Sequence, residues 1–219
     1  MVLAAYNEAV TLPIVADRLR SLGYGIVCID DGSTDGTAIA ARRSGCEVVV
    51  HPFNLGQGAA LQTGLEYALG RDADYVCTLD SDGQHDPGEL PRLLEALDRN
   101  GADFALGSRF LGGTIDMPRP RGLLLSAAIM FTRLTTGLRV TDTHNGMRAM
   151  TQRGAASIHL LQERMAHASE ILAQIRRSDL PMVEVPVTIA YTAYSLAKGQ
   201  RASSAFRVLG DLAAGMLRR

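Results

Sequence analysis

Short apolar runs alternate with amphipathic, helix-like segments through the first half of the chain. Each run has the length of a strand, and several are almost continuously apolar, which is typical of parallel strands covered on both faces. The runs lie at residues 2–5, 25–29, 47–50, 75–79 and 104–106. This alternation predicts an α/β fold in which helices flank a mainly parallel sheet with right-handed crossovers.

The pattern changes after about residue 110, where strands and helices no longer alternate regularly. The expected segments are a Gly-, Pro- and Arg-rich loop at 110–121, a helix at 122–136, a turn-rich stretch at 141–150, a helix at 166–177, a strand at 182–190, a loop at 191–201 and a helix at 203–219. Pro186 predicts that the late strand lies at a sheet edge or contains a bulge. We therefore divide the chain into one half at 1–109 and a second half, forming a subdomain beside it, at 110–219.

Polar or acidic clusters follow the strand-like runs. They are Tyr6-Asn-Glu8, Asp30-Asp31, Asp80-Ser-Asp82 and Gly107-Ser-Arg109. A single acidic turn is most simply a solvated loop, but clusters after successive strands meet at one edge of a parallel sheet, where ligands bind. Carboxylate and amide oxygens suit a hard cation, so Asp80, Asp82 and Gln84 predict a Mg²⁺ or Mn²⁺ site.

Composition excludes several classes of function. A net charge of −1 provides no sign of the basic surface that nucleic-acid-binding proteins need. No Gly-x-Gly-x-x-Gly follows the first strand, which argues against a nicotinamide enzyme. An odd number of cysteines without metal-ligand spacing indicates buried thiols in a reducing, cytoplasmic compartment. The apolar run at 123–131 is too short to span a bilayer.

The four clusters, in this order, resemble the segments of the family 2 glycosyltransferases of the GT-A (Rossmann-like) fold. The resemblance covers nearly the whole chain. Asp142-Thr-His-Asn-Gly-Met-Arg148 is similar to the Asp…Gly-Phe-Arg segment of the dolichyl- and polyprenyl-phosphate mannosyl- or glucosyltransferases and their small bacterial relatives. The family implies an inverting, metal-dependent enzyme, with 1–109 binding a nucleotide sugar and 110–219 binding the acceptor.

The resemblance also implies roles for individual residues. The expected contacts to a UDP- or GDP-linked sugar are Ala5, Tyr6, Glu8, Asp30, Asp31, Asp80 and Ser81. Asp80, Asp82 and Gln84 would hold the cation on the donor diphosphate, and Lys198 and Arg201 would close over that diphosphate. Asp82, Arg109 and Glu170 are the candidate catalytic residues. No Trp is present, so the Gln-x-x-Arg-Trp motif of processive relatives is absent, which favours transfer of one sugar per encounter.

Whether the enzyme needs a general base depends on the chemical class of the acceptor. A polyprenyl phosphate is already ionised and needs only positioning and charge balance. Ser108, Arg109, Arg121 and Arg148 are the expected phosphate ligands, since Arg suits phosphate. A hydroxyl acceptor would instead need a base, and Glu170 is the candidate.

Two other classes remain open at this point. A nucleotidyltransferase also places carboxylates and metal at strand ends, although it would need a Gly-rich basic loop after the first strand. A non-catalytic nucleotide-binding partner is the other class. We expect a cytoplasmic location, and the sequence leaves open contact with the inner face of the cell membrane and a homo-oligomeric state.

Overall fold

The computed structural model describes residues 1–162 and 167–191, which form a seven-stranded sheet flanked by helices. The strands are β1 (Val2–Ala5), β2 (Val27–Asp30), β3 (Glu47–Val50), β4 (Tyr75–Asp80), β5 (Phe104–Ile115), β6 (Arg148–Thr151) and β7 (Met182–Ala190). The helices are α1 (Leu12–Ser21), α2 (Thr37–Arg43), α3 (Gln57–Leu69), α4 (Leu90–Asn100), α5 (Arg119–Thr136), α6 (Gln152–Ala156) and α7 (His167–Ser178). One turn of 3-10 helix, Pro87–Glu89, precedes α4 and is capped by Asp86, whose carboxylate accepts the Gly88 N–H at 2.8 Å.

The strand order is β3-β2-β1-β4-β6-β5-β7. The first four strands of that order are parallel, and β7 is parallel to β5. Among the strands in the described part of the chain, only β6 runs against its neighbours, pairing antiparallel with both β4 and β5. The mainly parallel α/β fold is confirmed, and the carboxyl ends of β1, β2 and β4 meet at one edge.

Hydrophobic clusters cover both faces of this sheet. On one face, Leu3 packs with Leu12 of α1 and Leu93 of α4. On the other, Val2 packs with Leu61 of α3, in a cluster that extends to α7. Neighbouring residues of β1 therefore face opposite cores, which explains why the strand is apolar throughout rather than alternating.

The second half differs from the sequence prediction in three places. β5 continues to Ile115, so the predicted loop at 110–121 is partly strand, because it pairs with β7 across a register shift between Ser108 and Gly113. α5 begins at Arg119, three residues earlier than expected. The stretch at 141–150, predicted as turns only, contains the start of β6. The edge position of β7, and its irregularity near Pro186, are confirmed.

Strands from both predicted halves share one sheet, and β5 crosses the boundary at residue 109. The division into 1–109 and 110–219 therefore stays a prediction about roles within a single sheet. Most of the predicted loop at 191–201 and all of the helix at 203–219 lie outside the described residues. Across 1–162 and 167–191, no helix has the length and apolar character needed to cross a membrane.

A substitution at Gly112 tests the close approach of β5 to β7 at the register shift. A Cβ at this position would lie 2.2 Å from the carbonyl oxygen of Val187, a backbone atom of β7 that cannot swing aside. We expect Gly112→Ala to lower the free energy of unfolding by about 1 to 3 kcal/mol, as overpacking does, in a urea denaturation experiment.

The adjacent Gly113 provides the control, because a Cβ there meets nothing within 4 Å. Gly113→Ala restricts the unfolded chain equally and should leave stability within about 0.5 kcal/mol of the parent. Equal stabilities of the two variants would contradict the close approach of β5 to β7.

Candidate active site

A cavity of about 470 Å³ opens at the carboxyl ends of β1, β2 and β4. Its opposite side is formed by β5, α5, β7 and the segment between α5 and β6. The predicted site residues that line it are Ala5, Tyr6, Glu8, Asp31, Asp80, Ser81, Asp82, Gln84, Arg109 and Arg121. The predicted residues in the described chain that do not line it are Asp30, Ser108, Arg148 and Glu170. Lys198 and Arg201 lie outside the described residues.

Asp80 and Asp82 stand side by side at the end of β4. The carboxylate of Asp80 accepts the side-chain amide of Gln57 at 3.0 Å, and that of Asp82 accepts the backbone N–H of Gln84 at 3.0 Å. Burial, followed by the charge of Asp80, raises the pKa of Asp82 to about 6. Two carboxylates that repel each other in a half-buried cleft form a donor set that a hard cation relieves.

The protein provides only part of such a cation's shell. Within the described residues, no three side chains of the His, Cys, Asp and Glu types form a group that could hold a metal. Asp80 and Asp82, with the amide oxygen of Gln84, leave positions for water or for oxygens of a substrate. This partial set fits Mg²⁺ or Mn²⁺, which are commonly bound by one or two carboxylates plus substrate phosphates.

Two residues without a role in the sequence prediction pack against Asp80. His85 is buried, with Nε2 3.9 Å from the Asp80 carboxylate, and its Nδ1 has no hydrogen-bond partner. Burial lowers the pKa of His85 to about 4, so the ring is neutral near pH 7. Gly146 lies so close that a Cβ there would be 2.2 Å from a carboxylate oxygen of Asp80. Only glycine therefore leaves room for the Asp80 carboxylate at this point of a segment distant in sequence.

Asp31 organises the loop beside the cavity. Its carboxylate accepts the Nδ1–H of His51 at 2.8 Å and the backbone N–H groups of Leu55 and Gly56 at 2.9 and 2.7 Å. His51 Nε2 lies 3.0 Å from the hydroxyl of Thr63, which fixes the ring. Most of the acceptor capacity of Asp31 is thus used in holding the loop.

Asp30 and Ser108 serve the fold instead of lining the cavity. Asp30 is buried and accepts the backbone N–H of Ser33 at 3.2 Å. Ser108 is fully buried, and its hydroxyl lies 2.6 Å from that of Thr141. Neither side chain lines the cavity, and the expected contacts of Asp30 with the donor and of Ser108 with the acceptor stay predictions.

Arg109 forms a buried network on the far side of the cavity. Its Nε donates to Asp142 at 2.7 Å, and its backbone N–H donates to the same carboxylate at 3.1 Å. Nη1 donates to the hydroxyl of Tyr191 at 2.8 Å, and Nη2 donates to the carbonyl of His144. Arg109 lines the cavity, yet most of its hydrogen-bonding capacity joins β5 to the segment before β6.

Arg121 and His144 also reach the cavity. The Arg121 guanidinium lies over the ring of Tyr191, 5.0 Å from its centroid. Burial lowers the pKa of His144 to about 4, and its Nδ1 lies 2.8 Å from the hydroxyl of Thr143. At neutral pH the charge on this side therefore comes from arginine, and His144 is an uncharged lining residue that the sequence prediction missed.

Glu170 and Arg148 occupy other environments. The Glu170 carboxylate accepts the backbone N–H groups of Leu161 and Gln162, at distances between 2.8 and 3.1 Å, near the start of α7. Arg148 is buried in β6, where burial lowers its pKa while Asp80 and Asp142 oppose the shift. Glu170 is therefore committed to the backbone, and Arg148 lies behind the carboxylates rather than at the cavity wall.

Comparisons with known proteins agree with this geometry. The model of the family described as Glycosyl transferase family 2 matches residues 1–156. An undecaprenyl-phosphate mannosyltransferase from Micrococcus luteus is 32% identical over 85% of this chain and 81% of its own length. A UDP-N-acetylglucosamine–dolichyl-phosphate N-acetylglucosaminyltransferase from Methanococcus voltae is 28% identical over 95% of this chain and 92% of its own length.

A solved structure shares the fold. Glucosyl-3-phosphoglycerate synthase from Mycobacterium tuberculosis, in complex with Mn²⁺ and UDP-glucose, matches with a TM-score of 0.75 and 23% identity. The match covers 99% of this chain and 77% of that chain. It supports the assignment of the GT-A architecture.

The chain belongs to glycosyl transferase family 2. It is a glycosyltransferase with a GT-A fold, and this assignment replaces the nucleotidyltransferase and the non-catalytic binding partner as alternatives.

The Arg109–Asp142 pair predicts a large loss of stability when one charge is removed. We expect Asp142→Asn to lower the free energy of unfolding by about 3 to 5 kcal/mol, because it leaves a buried guanidinium without its counter-ion. Glu95→Gln, which removes one charge of the exposed Arg99–Glu95 pair on α4, should cost under about 0.5 kcal/mol. Urea denaturation of both variants measures the difference, and similar losses would contradict the structural role of Arg109.

Substitution of Asp82 is expected to change the free energy of unfolding in the opposite direction. Folding raises its pKa from 3.8 to about 6, so the ionised carboxylate destabilises the metal-free fold at neutral pH. We expect Asp82→Asn to raise the free energy of unfolding in EDTA by about 1 to 3 kcal/mol above about pH 6, with the gain vanishing below about pH 4, where the carboxyl is protonated in both states.

The comparison is made by urea denaturation of the parent and the variant between about pH 8 and about pH 4. His85 and His144 are present in both proteins, so their titration cancels in the difference. A variant less stable than the parent at neutral pH would show that the raised pKa of Asp82 is wrong.

Proposed function

We propose that the enzyme transfers one sugar, with inversion, from a nucleoside diphosphate to a polyprenyl phosphate at the cytoplasmic face of the membrane. The observation that carries the proposal is the distribution of charge around the cavity. Its lining carboxylates, Glu8, Asp31, Asp80 and Asp82, all belong to the β1, β2 and β4 side. On the β5 and α5 side, the described lining residues include Arg109 and Arg121 and no carboxylate.

This asymmetry favours an acceptor that brings its own negative charge. A phosphate monoester is ionised near neutral pH, so it needs no general base, and an arginine is suited to hold it. Arg121 lines the cavity, its guanidinium lies over the ring of Tyr191, and its charge acts on Asp82 on the opposite side. Arg109 keeps this wall in place through Asp142, which also compensates its charge, so among the described lining residues the uncompensated positive charge on this side is that of Arg121.

The reaction then requires little proton transfer. An oxygen of the acceptor phosphate attacks the anomeric carbon, and the bonding pair of the sugar–diphosphate bond leaves with the nucleoside diphosphate. Asp80, Asp82 and Gln84 would hold Mg²⁺ or Mn²⁺ on that diphosphate. When bound, the cation supplies charge compensation for the leaving group.

The relatives support the lipid acceptor by their names. One is an undecaprenyl-phosphate mannosyltransferase and another a dolichyl-phosphate N-acetylglucosaminyltransferase. The structural neighbour, whose bound ligands are Mn²⁺ and UDP-glucose, supports a metal-dependent donor site. Lys198 and Arg201 remain candidates for closure over the diphosphate.

Donor binding is tested first, by thermal-shift measurements with UDP and GDP sugars in the presence and absence of Mn²⁺. We expect one nucleotide to stabilise the parent only with Mn²⁺, and Asp82→Asn to lose that response because it removes a cation ligand. Stabilisation by neither nucleotide would contradict the donor site.

Acceptor use is tested with undecaprenyl phosphate in detergent, by measuring the glycolipid product. Arg121→Ala should lower kcat/KM for the acceptor by about 100-fold, through loss of a charge-assisted contact to phosphate, with donor affinity preserved. Arg99→Ala, an exposed arginine on α4, is the matched control and should retain full activity.

Glu170→Gln distinguishes the two acceptor classes. The proposal expects transfer to change little, because the Glu170 carboxylate holds backbone N–H groups rather than facing the cavity. Near-total loss of transfer with unchanged Tm and donor affinity would indicate a hydroxyl acceptor with Glu170 as the base.

A further inference from the structure

Helix α5 presents an apolar side to solvent. Leu123, Met130 and Leu134 are 77%, 59% and 78% exposed, and Ala127 is exposed between them. Their spacing of four, three and four residues places them on one side of the helix. Three large apolar side chains aligned in this way form a continuous strip, unlike the scattered exposed apolar residues of an ordinary surface.

The opposite side of α5 is anchored to the protein. Leu125 and Thr132, each two residues from a member of the strip, are buried. The helix also packs against α7. The strip is therefore the outer side of a docked helix, and it extends over about 16 Å between Leu123 and Leu134 at 1.5 Å per residue.

The charged residues in the stretch that contains α5 are all positive. Residues 117–136 contain Arg119, Arg121 and Arg133 and neither Asp nor Glu, although the whole chain has a net charge of −1. An apolar strip in a stretch whose charged residues are all arginines complements a surface that is apolar inside and anionic outside.

The strip is continuous with the mouth of the cavity. Arg121 and Leu125 line the cavity, and Leu123, between them in sequence, points outward. Ile115, 54% exposed, lies beside them, because its carbonyl accepts the N–H of Tyr191, over whose ring Arg121 lies. Apolar surface and phosphate-binding charge therefore meet at one rim.

We propose that α5 docks the enzyme on an anionic lipid bilayer, with the strip of Leu123, Ala127, Met130 and Leu134 inserted at the headgroup boundary. The proposal rests on the proposed lipid acceptor and specifies how that acceptor is reached. Docking through α5 brings Arg121 to the plane of the lipid phosphates. The acceptor's headgroup then enters the cavity while its isoprenoid chain stays in the membrane.

Vesicle co-sedimentation of the full chain tests the docking. We expect binding to mixed phosphatidylcholine–phosphatidylglycerol vesicles, weaker binding to phosphatidylcholine alone, and at least about a tenfold loss of affinity for the triple variant Leu123→Glu, Met130→Glu and Leu134→Glu, because acidic residues on the strip oppose both insertion and anionic lipid. The control is Ile14→Glu, at an apolar position of α1 that is 70% exposed and lies outside the strip. It should bind vesicles like the parent.

Three results would overturn the proposal. The first is a parent chain that does not bind anionic vesicles. The second is a lower Tm in the triple variant with Ile14→Glu unchanged, which would mean that the strip is covered within the folded chain. The third is a parent dimer that the triple variant converts to a monomer in light scattering, which would make the strip a contact between two copies.

A short-chain, water-soluble isoprenyl phosphate separates this proposal from the proposed function. Without vesicles, the triple variant should transfer sugar to it at the parental rate, since that acceptor needs only the cavity. With undecaprenyl phosphate in vesicles, its rate should fall at least about tenfold, in line with its membrane affinity. If the parent glycosylates no isoprenyl phosphate yet binds vesicles through the strip, the proposed function fails and the docking surface stands.

Discussion

The buried pair between Arg109 and Asp142 is the interaction on which the β5 and α5 side of the cavity depends. A guanidinium without a counter-ion is costly in such an environment, so the two charges must be brought in together. Their contacts extend to Tyr191 and to the carbonyl of His144, which come from the end of β7 and the segment before β6. One arginine thereby fixes the positions of elements that lie far apart in sequence.

The opposite side of the cavity uses charge in the reverse way. Asp80 and Asp82 repel each other at the end of β4, and burial raises the pKa of Asp82. The rest of the fold offsets that instability, and the proposed cation would relieve it. The Arg109–Asp142 pair is thus compensated within the protein, whereas the charges of Asp80 and Asp82 are left for the proposed cation to compensate.

Local sequence patterns predicted the parts of the fold that local forces decide. β1, β2 and β4, with the polar residues that follow them, were found because a buried strand and its terminal cluster are adjacent in sequence. β6 was missed, since it begins with a charged residue, Arg148, in a polar stretch, and its hydrogen-bond partners lie on β4 and β5. The roles of Ser108 and Glu170 were also hidden, because Thr141 and the backbone of Leu161 that engage them are not sequence neighbours.

The position of β6 between β4 and β5 also determines how late in synthesis the sheet can be completed. β4 ends at Asp80, yet the strand that pairs with its second edge begins at Arg148. During synthesis the parallel strands β1 to β4 emerge first, and the open edge of β4 waits for roughly 70 further residues. Until β6 is made, the nascent chain therefore carries an unpaired strand edge beside the acidic turn that follows β4, and it is most exposed to misassociation during that interval.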